Sequence, residues 1–148
     1  MTIFIGADHQ GFEMKNRLIE YIQEKNIRVE DLGAYEPNAE DDYPDFSKKV
    51  AQAVLQKPDE FLGILVSSTG VGMAVAANRF KNIRCALGFS EEQVKHARED
   101  DNINILSLPS NFIDFEKAKA IIDIFITTEA KKDGKYIRRI KKLDHQKV

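Results

Sequence analysis

The chain is short of the features that tie function to disulfides, membranes or nucleotide phosphates. Cys85 is the single cysteine among 148 residues, which excludes an internal disulfide and most cysteine-based metal sites. No apolar run reaches the roughly 18 residues that a membrane helix needs, and no basic-then-apolar leader opens the sequence. A cytoplasmic protein with no membrane partner is therefore expected. No Gly-Lys-Ser/Thr closes a glycine-rich loop, so there is no Walker A motif. Val75 stands where a dinucleotide fingerprint would carry its third glycine. His, Cys and Asp nowhere fall at metal-ligand spacing, and neither a metal nor another cofactor is expected. Internal repeats, low-complexity tracts and long linkers are missing as well. Residues 1–148 are expected to form one domain.

Apolar residues make up 43% of the chain and charged residues 31%, the balance of a soluble globular protein long enough to close a core without staples. The net charge of −2 is unevenly spread. From Lys131 onward eight Lys/Arg, Lys147 among them, face only Asp133 and Asp144, a +6 segment that leaves −8 on the first 130 residues. Its one aromatic is Tyr136, too little interleaving for a nucleic-acid surface. The plainer reading is a solvated basic helix over 135–148. The sharper one is a set of cations reaching a phosphorylated small molecule.

Apolar runs alternate with amphipathic segments. Strands are expected at Thr2–Gly6, Ile27–Leu32, Leu62–Val66, Ile83–Gly88 and Ile103–Leu108, with Pro109 ending the last. Helices are expected over Gly11–Lys25, Asp45–Gln56 and Gly72–Arg79. Two more follow, one opened at Ser90 by a capping box with Gln93 and one capped by Asp114, before Gly134 breaks the chain ahead of the basic helix. This alternation implies a three-layer α/β/α sandwich around a five-stranded parallel, Rossmann-like sheet. Ligands of such sheets bind outside the carboxyl ends of the strands. The loops of interest are then Ala7–Gly11, Gly33–Pro44, Ser67–Gly72, Phe89–Ser90 and Leu108–Asn111.

Ser67-Ser68-Thr69-Gly70-Val71-Gly72 joins a strand to a helix. Its two glycines let backbone N–H groups point outward, a cradle for an anion or an enediolate; the alternative is a tight turn filled by small residues. Asp8-His9 sets a carboxylate beside an imidazole, able to orient a hydroxyl or move a proton near neutral pH. Alternatively, Asp8 caps the next helix and His9 is only exposed. Asp42-Tyr43-Pro44-Asp45 offers a phenol and carboxylates, or simply a turn and an N-cap. His96 and His145 read as surface residues, and Cys85 as a buried, inert thiol.

In order and spacing, Gly6-Ala7-Asp8-His9-Gln10-Gly11, Asp42-Tyr43-Pro44-Asp45, Gly70-Val71-Gly72-Met73, Ala76-Ala77-Asn78-Arg79 and Ile83-Arg84 resemble one family. It is the ribose-5-phosphate isomerase B / galactose-6-phosphate isomerase family, and the resemblance covers nearly the whole chain. It implies a metal-independent aldose–ketose isomerase of a phosphorylated sugar, of the ribose 5-phosphate/ribulose 5-phosphate type, working through an enediolate. It also implies a homodimer or tetramer whose sites are shared between subunits. Substrate contacts would fall on Asp8, His9, Tyr43, Ser68, Thr69, Gly70, Val71, Gly72, Asp101, Asn111, Lys135 and Arg139.

Several positions depart from the family's pattern. One branch opens its loop with Cys-Gly-Thr-Gly, the cysteine serving as base; here the same places read Ser67-Ser68-Thr69-Gly70. A second branch uses a glutamate just after the second glycine, where this chain has Met73. Asp100-Asp101 replaces a His-Asn pair, Asn111 a phosphate-site arginine, and Lys135-Tyr136 an Arg-His pair, while Arg139 keeps its arginine. A serine hydroxyl is too weakly acidic to replace a thiolate unaided. A substitute base is therefore expected among Asp100, Asp8 and His9, and the catalytic candidates are Ser67, Asp100 and His9. Two other readings stay open: a homologue that binds a sugar phosphate without turnover, and one subunit of a two-chain isomerase.

Overall fold

A computed structural model describes residues 1–146; Lys147, part of the basic segment above, and Val148 lie outside the described residues. The elements are β1 (Thr2–Ala7), α1 (Phe12–Glu24), β2 (Arg28–Asp31), α2 (Tyr43–Val54), β3 (Phe61–Ser67) and α3 (Val71–Ala77). They continue with β4 (Cys85–Leu87), α4 (Glu91–Asp101), β5 (Ile105–Pro109), α5 (Phe115–Thr127) and α6 (Gly134–Asp144). All five strands are parallel, in the order β2-β1-β3-β5-β4.

Alternation of side chains along each strand builds two separate cores. Ile3, Ile5, Ile64, Val66, Leu106 and Leu108 pack with Leu18 and Ile22 of α1, Val94 of α4 and Ile121, Ile122 and Phe125 of α5. The intervening residues Phe4, Leu65 and Ile105 pack on the opposite face with Val50 and Val54 of α2 and Met73 and Ala77 of α3. Each fully buried Leu, Ile or Phe contributes about 1.5–3 kcal/mol. A slip of one residue would exchange the two faces, so the pattern fixes the register. Helix α6 lies against α4 and buries none of its residues.

Helix boundaries follow their caps. Ser90 Oγ accepts the Gln93 N–H at 3.1 Å, and Gln93 Oε1 reaches the Phe89 N–H at 3.3 Å, so the capping box closes one residue upstream of its usual partner. Asp114 accepts the Lys117 N–H at 2.8 Å. Most elements shift or shorten by one or two residues, β4 and β5 starting at Cys85 and Ile105 instead of Ile83 and Ile103, and three boundaries involve proline or glycine. Helix α2 begins at Tyr43 with Pro44 inside its first turn, and Gly134 opens α6 instead of preceding it. First-turn N–H groups have no intrahelical partner, so neither residue is penalised there. Pro109 is the last residue of β5, in register with Ser67.

The chain leaves β1 for β2 on one side, then crosses back over β1 to β3 on the other. The carboxyl ends of β1 and β3 therefore flank the point where the winding reverses, which is where parallel sheets leave a crevice.

Candidate active site

Beyond the last ladder pair, Ala7 opposite Val66, the β1 strand turns on Asp8. Asp8 Oδ1 accepts the N–H groups of Gln10 at 3.0 Å and Gly11 at 3.1 Å. Gly11 rests on the β3 backbone: a Cβ there would lie 2.1 Å from the Val66 carbonyl oxygen. Ser110, just past β5, ties the loops together. Its N–H donates to Ser67 O at 2.8 Å, and its hydroxyl lies 3.0 Å from Ser67 O and 3.2 Å from Gln10 O. The Asn111 N–H donates to Ser68 O at 3.0 Å.

The Ser67–Gly72 loop is braced by hydroxyls. Gly70 adopts φ 72°, a left-handed conformation that glycine takes without strain. Its N–H donates to Ser67 Oγ at 3.1 Å, and its carbonyl accepts from Ser107 Oγ at 2.6 Å. The Val71 N–H reaches Thr69 Oγ1 at 3.3 Å. Two N–H groups expected to face a ligand are thus bonded within the loop, because its own serine and threonine side chains are the nearest acceptors. The Tyr43 ring lies on Gly72, where an added Cβ would come within 2.8 Å of Tyr43 Cζ.

His9 is not merely exposed. Its backbone N–H donates to Asp41 Oδ1 at 3.1 Å, and its Nδ1 lies 2.6 Å from the same oxygen. Asp41 Oδ2 is buried with no hydrogen-bond partner among the described residues. The hydrogen bond to Asp41 raises the His9 pKa above its ordinary 6.5, and the charges of Asp41, Asp8 and Glu40 add to it. For Asp8, burial raises the carboxyl above 3.8 against the lowering effect of the Gly11 N–H and His9.

The His9 shift carries a pH signature. A raised histidine pKa means that the folded chain holds the proton more tightly. The stabilisation is complete below 6.5 and is lost as pH rises through the raised value. Melting temperatures of the wild type and Asp41→Asn should therefore differ most at the acid end and converge as pH rises past neutrality. A difference that stays constant across that window would contradict the pairing.

Asp100, Asp101, Lys135 and Arg139 lie elsewhere. Helix α4 starts above the carboxyl end of β4 and runs back, so Asp100 and Asp101 stand at the amino edge of the sheet, just before β5. Lys131 Nζ binds Asp100 Oδ1 at 2.8 Å and lies 3.7 Å from Glu99 Oε2. That hydrogen bond lowers the Asp100 pKa and raises that of Lys131. Lys135 and Arg139 flank the Tyr136 ring at 5.1 and 5.8 Å. Within one chain the structure gathers Asp8, His9, Tyr43, the Ser67–Gly72 loop and Asn111 at one edge, and the other four candidates at the opposite edge.

His96, Glu99 and Asp100 place one ligand atom each within 4.8 Å of the others, which corrects the reading that no cluster has metal-ligand spacing. Positions i, i+3 and i+4 share a helix face, and Lys131 supplies the cation beside two of these carboxylates. His96 and His145 are exposed as expected. Cys85 is half-buried, its thiol pushed up to about 12 by burial.

Asp41, Ser107 and Ser110 were not singled out in the sequence. A lone hydroxyl inside the apolar run of β5 was the available signal for Ser107. For Asp41 there was none, since Glu40 and Asp42 offer the same chemistry beside it.

Fold and side-chain placement define a doubly wound parallel α/β protein with carboxylates, an imidazole and hydroxyls gathered at its switch point. Residues 3–143 match the family model described as Ribose/Galactose Isomerase. The chain belongs to that family. It is 41% identical to a ribose 5-phosphate isomerase structure from Thermotoga maritima, with TM-score 0.92 and 98% of each chain covered. A structure of ribose-5-phosphate isomerase B from Mycoplasma genitalium with bound ribulose-5-phosphate is 40% identical, with TM-score 0.93, covering 97% of this chain and 93% of that one. Ribose-5-phosphate isomerase B of Mycolicibacterium paratuberculosis is 36% identical over 140 residues, 95% of this chain and 87% of that protein.

Proposed function

We propose that the chain is an aldose–ketose isomerase of a phosphorylated sugar, with ribose 5-phosphate and ribulose 5-phosphate as the first substrates to test. The observation that carries this reading is the set of polar side chains gathered at the β1/β3 switch point. There Asp8, His9 and Tyr43 stand around a hydroxyl-rich loop, in a chain 40% identical to a relative solved with ribulose-5-phosphate. In the reaction a proton leaves the carbon beside the carbonyl, an enediolate forms, and the proton returns to the neighbouring carbon. A His9 imidazolium held by Asp41 supplies positive charge for an anionic oxygen or a phosphate. Conversion of ribose 5-phosphate to the ketose, followed by NMR, tests the reading. No product from any pentose or hexose phosphate would overturn it. No helix among the described residues is long and apolar enough to cross a membrane, and we place the enzyme in the cytoplasm.

The separation of candidates onto two edges supports a site shared between two copies of the chain. The Asp8–Ser67 edge of one copy would meet Lys135 and Arg139 of α6 from the other, in a homodimer or tetramer. Mixing inactive His9→Ala and Arg139→Ala chains should then restore about a quarter of wild-type activity through hybrid dimers with one intact site. No recovery on mixing would mean that each copy carries its own complete site.

One observation favours a second reading. Ser67 Oγ accepts an N–H, and Asp100 is tied to Lys131, which suits a homologue that binds sugar phosphates without turnover. Thermal stabilisation by ribulose 5-phosphate with no isomerisation would identify it.

A further inference from the structure

We propose that Asp8 is the group that takes and returns the carbon-bound proton in this chain, in place of a residue on the Ser67–Gly72 loop. The assignment rests on the isomerase reading above.

The first argument is position. In the β1–β3 ladder Ala7 pairs with Val66, so one further step along both strands sets Asp8 beside Ser67. Adjacent strands lie about 4.8 Å apart. Both residues have the parity of the α2/α3 face: Phe4 and Leu65 are buried there, while Ile5, Ala7, Ile64 and Val66 point to the other core. A Cβ on Gly6 would meet Val50 of α2 at 3.0 Å, which carries the alternation to within one side chain of Asp8. The carboxylate and the loop hydroxyl thus share one wall of the crevice.

The second argument is the state of its two oxygens. Oδ1 is held by two backbone N–H groups, which fixes the carboxylate plane. Oδ2 takes part in no hydrogen bond among the described residues, although Asp8 as a residue is only 7% exposed. It is therefore the oxygen left to accept a proton. Burial also lifts its proton affinity, which suits a group that must accept a proton from carbon. The charged groups facing it are His9 from its own loop and Asp41 from the β2–α2 loop.

The third argument is that the rivals are engaged. Ser67 Oγ accepts the Gly70 N–H, and its hydroxyl donates to no carboxylate or imidazole among the described residues. His9 Nδ1 is bonded to Asp41, and the pairing favours the imidazolium over the free base. Asp100 stands at the far edge with its oxygen on Lys131, which weakens it as a base.

The steps balance without another reactant. Asp8 removes the C2 hydrogen as a proton; the C–H electron pair becomes the C1=C2 bond, and the carbonyl pair moves onto O1. The hydroxyl proton of O2 passes to O1. Asp8 then returns its proton to C1, the C=C electrons form the new C–H bond, and O2 becomes the ketone.

The test is Asp8→Asn, which keeps an oxygen for the Gln10 and Gly11 N–H groups but cannot take a proton. Its kcat on ribose 5-phosphate should fall about a thousandfold, the span a positioned base contributes, with KM changed no more than a few-fold. Thermal stabilisation by ribulose 5-phosphate should persist, which shows a folded, binding-competent chain. Adding Ser67→Cys to Asp8→Asn places a thiolate beside the vacated position and should recover at least tenfold of the loss. An active wild type whose Asp8→Asn variant keeps more than a tenth of its kcat overturns this assignment alone. So does a double variant that binds ribulose 5-phosphate but is no faster than Asp8→Asn. A wild type inactive on every sugar phosphate overturns the assignment together with the isomerase reading.

Discussion

Ser67→Cys is expected to raise isomerase turnover about tenfold, because it adds a stronger proton acceptor beside Asp8. A thiol has an ordinary pKa near 8.5, so its thiolate is a better base than a carboxylate by several powers of ten, whereas a serine hydroxyl stays protonated at neutral pH. The loop already offers what a thiolate needs. The Gly70 N–H donates to the side-chain atom of residue 67 at 3.1 Å, and donation to the anionic form lowers the thiol pKa. Sulfur is larger than oxygen and Ser67 is 5% exposed, so crowding will cost about 1 kcal/mol of stability. The measurement is kcat on ribose 5-phosphate, with sensitivity to a thiol-alkylating reagent as a check on where the gain comes from. An unchanged rate would mean that base strength does not limit turnover, and would move attention to phosphate binding or to Asp100.

Lys15→Met should lower stability by about 3 kcal/mol, the low end for breaking a buried ion pair. At this chain length that is a fall of roughly 10 °C in melting temperature. Lys15 has no exposed surface, and its Nζ lies 2.7 and 2.6 Å from the two oxygens of Asp31. Methionine fills the volume of the stem but leaves Asp31 without its cation. Partial exposure of the Asp31 side chain, 32%, keeps the cost at the low end. The effect should also reach the cleft. Asp31 Oδ1 accepts the Gly33 N–H at 2.9 Å, Gly33 O accepts the Ala7 N–H at 2.7 Å, and Ala7 O accepts the Ala34 N–H at 2.7 Å. This chain of bonds joins the start of the loop that carries Asp41 to the strand that ends in Asp8 and His9. A variant within 1 kcal/mol of wild type by denaturant titration would show that the pair is not structural.

The sheet could be read from the sequence because its strands alternate or run apolar with period two, and because Ser90, Gln93 and Asp114 announce their helices chemically. What blurred the edges was Pro44, Pro109 and Gly134. Each reads locally as punctuation, but at helix starts and strand ends such residues sit inside the element at little cost. The cleft was legible where chemistry is concentrated in adjacent residues, as in Asp8-His9 and Ser67–Gly72. It was not legible where it depends on contacts between distant ones. Asp41 reaches His9 across 32 positions, and nothing local separates it from its acidic neighbours. The same holds for Lys131, whose link to Asp100 spans 31 positions and makes that carboxylate a poor base. Resemblance to a family places a residue on the map of a site, but only packing shows whether its functional atom is free.

The most direct test is hydrogen exchange at carbon. Purified wild-type chain incubated with ribose 5-phosphate in deuterated water should place deuterium at C2 of the aldose and C1 of the ketose, seen by NMR. Exchange should persist at equilibrium, because a carboxylate trades its captured proton with solvent before returning it. Retention of protium at both carbons with every pentose and hexose phosphate, at enzyme concentrations where ribulose 5-phosphate binds, would contradict an enediolate isomerase.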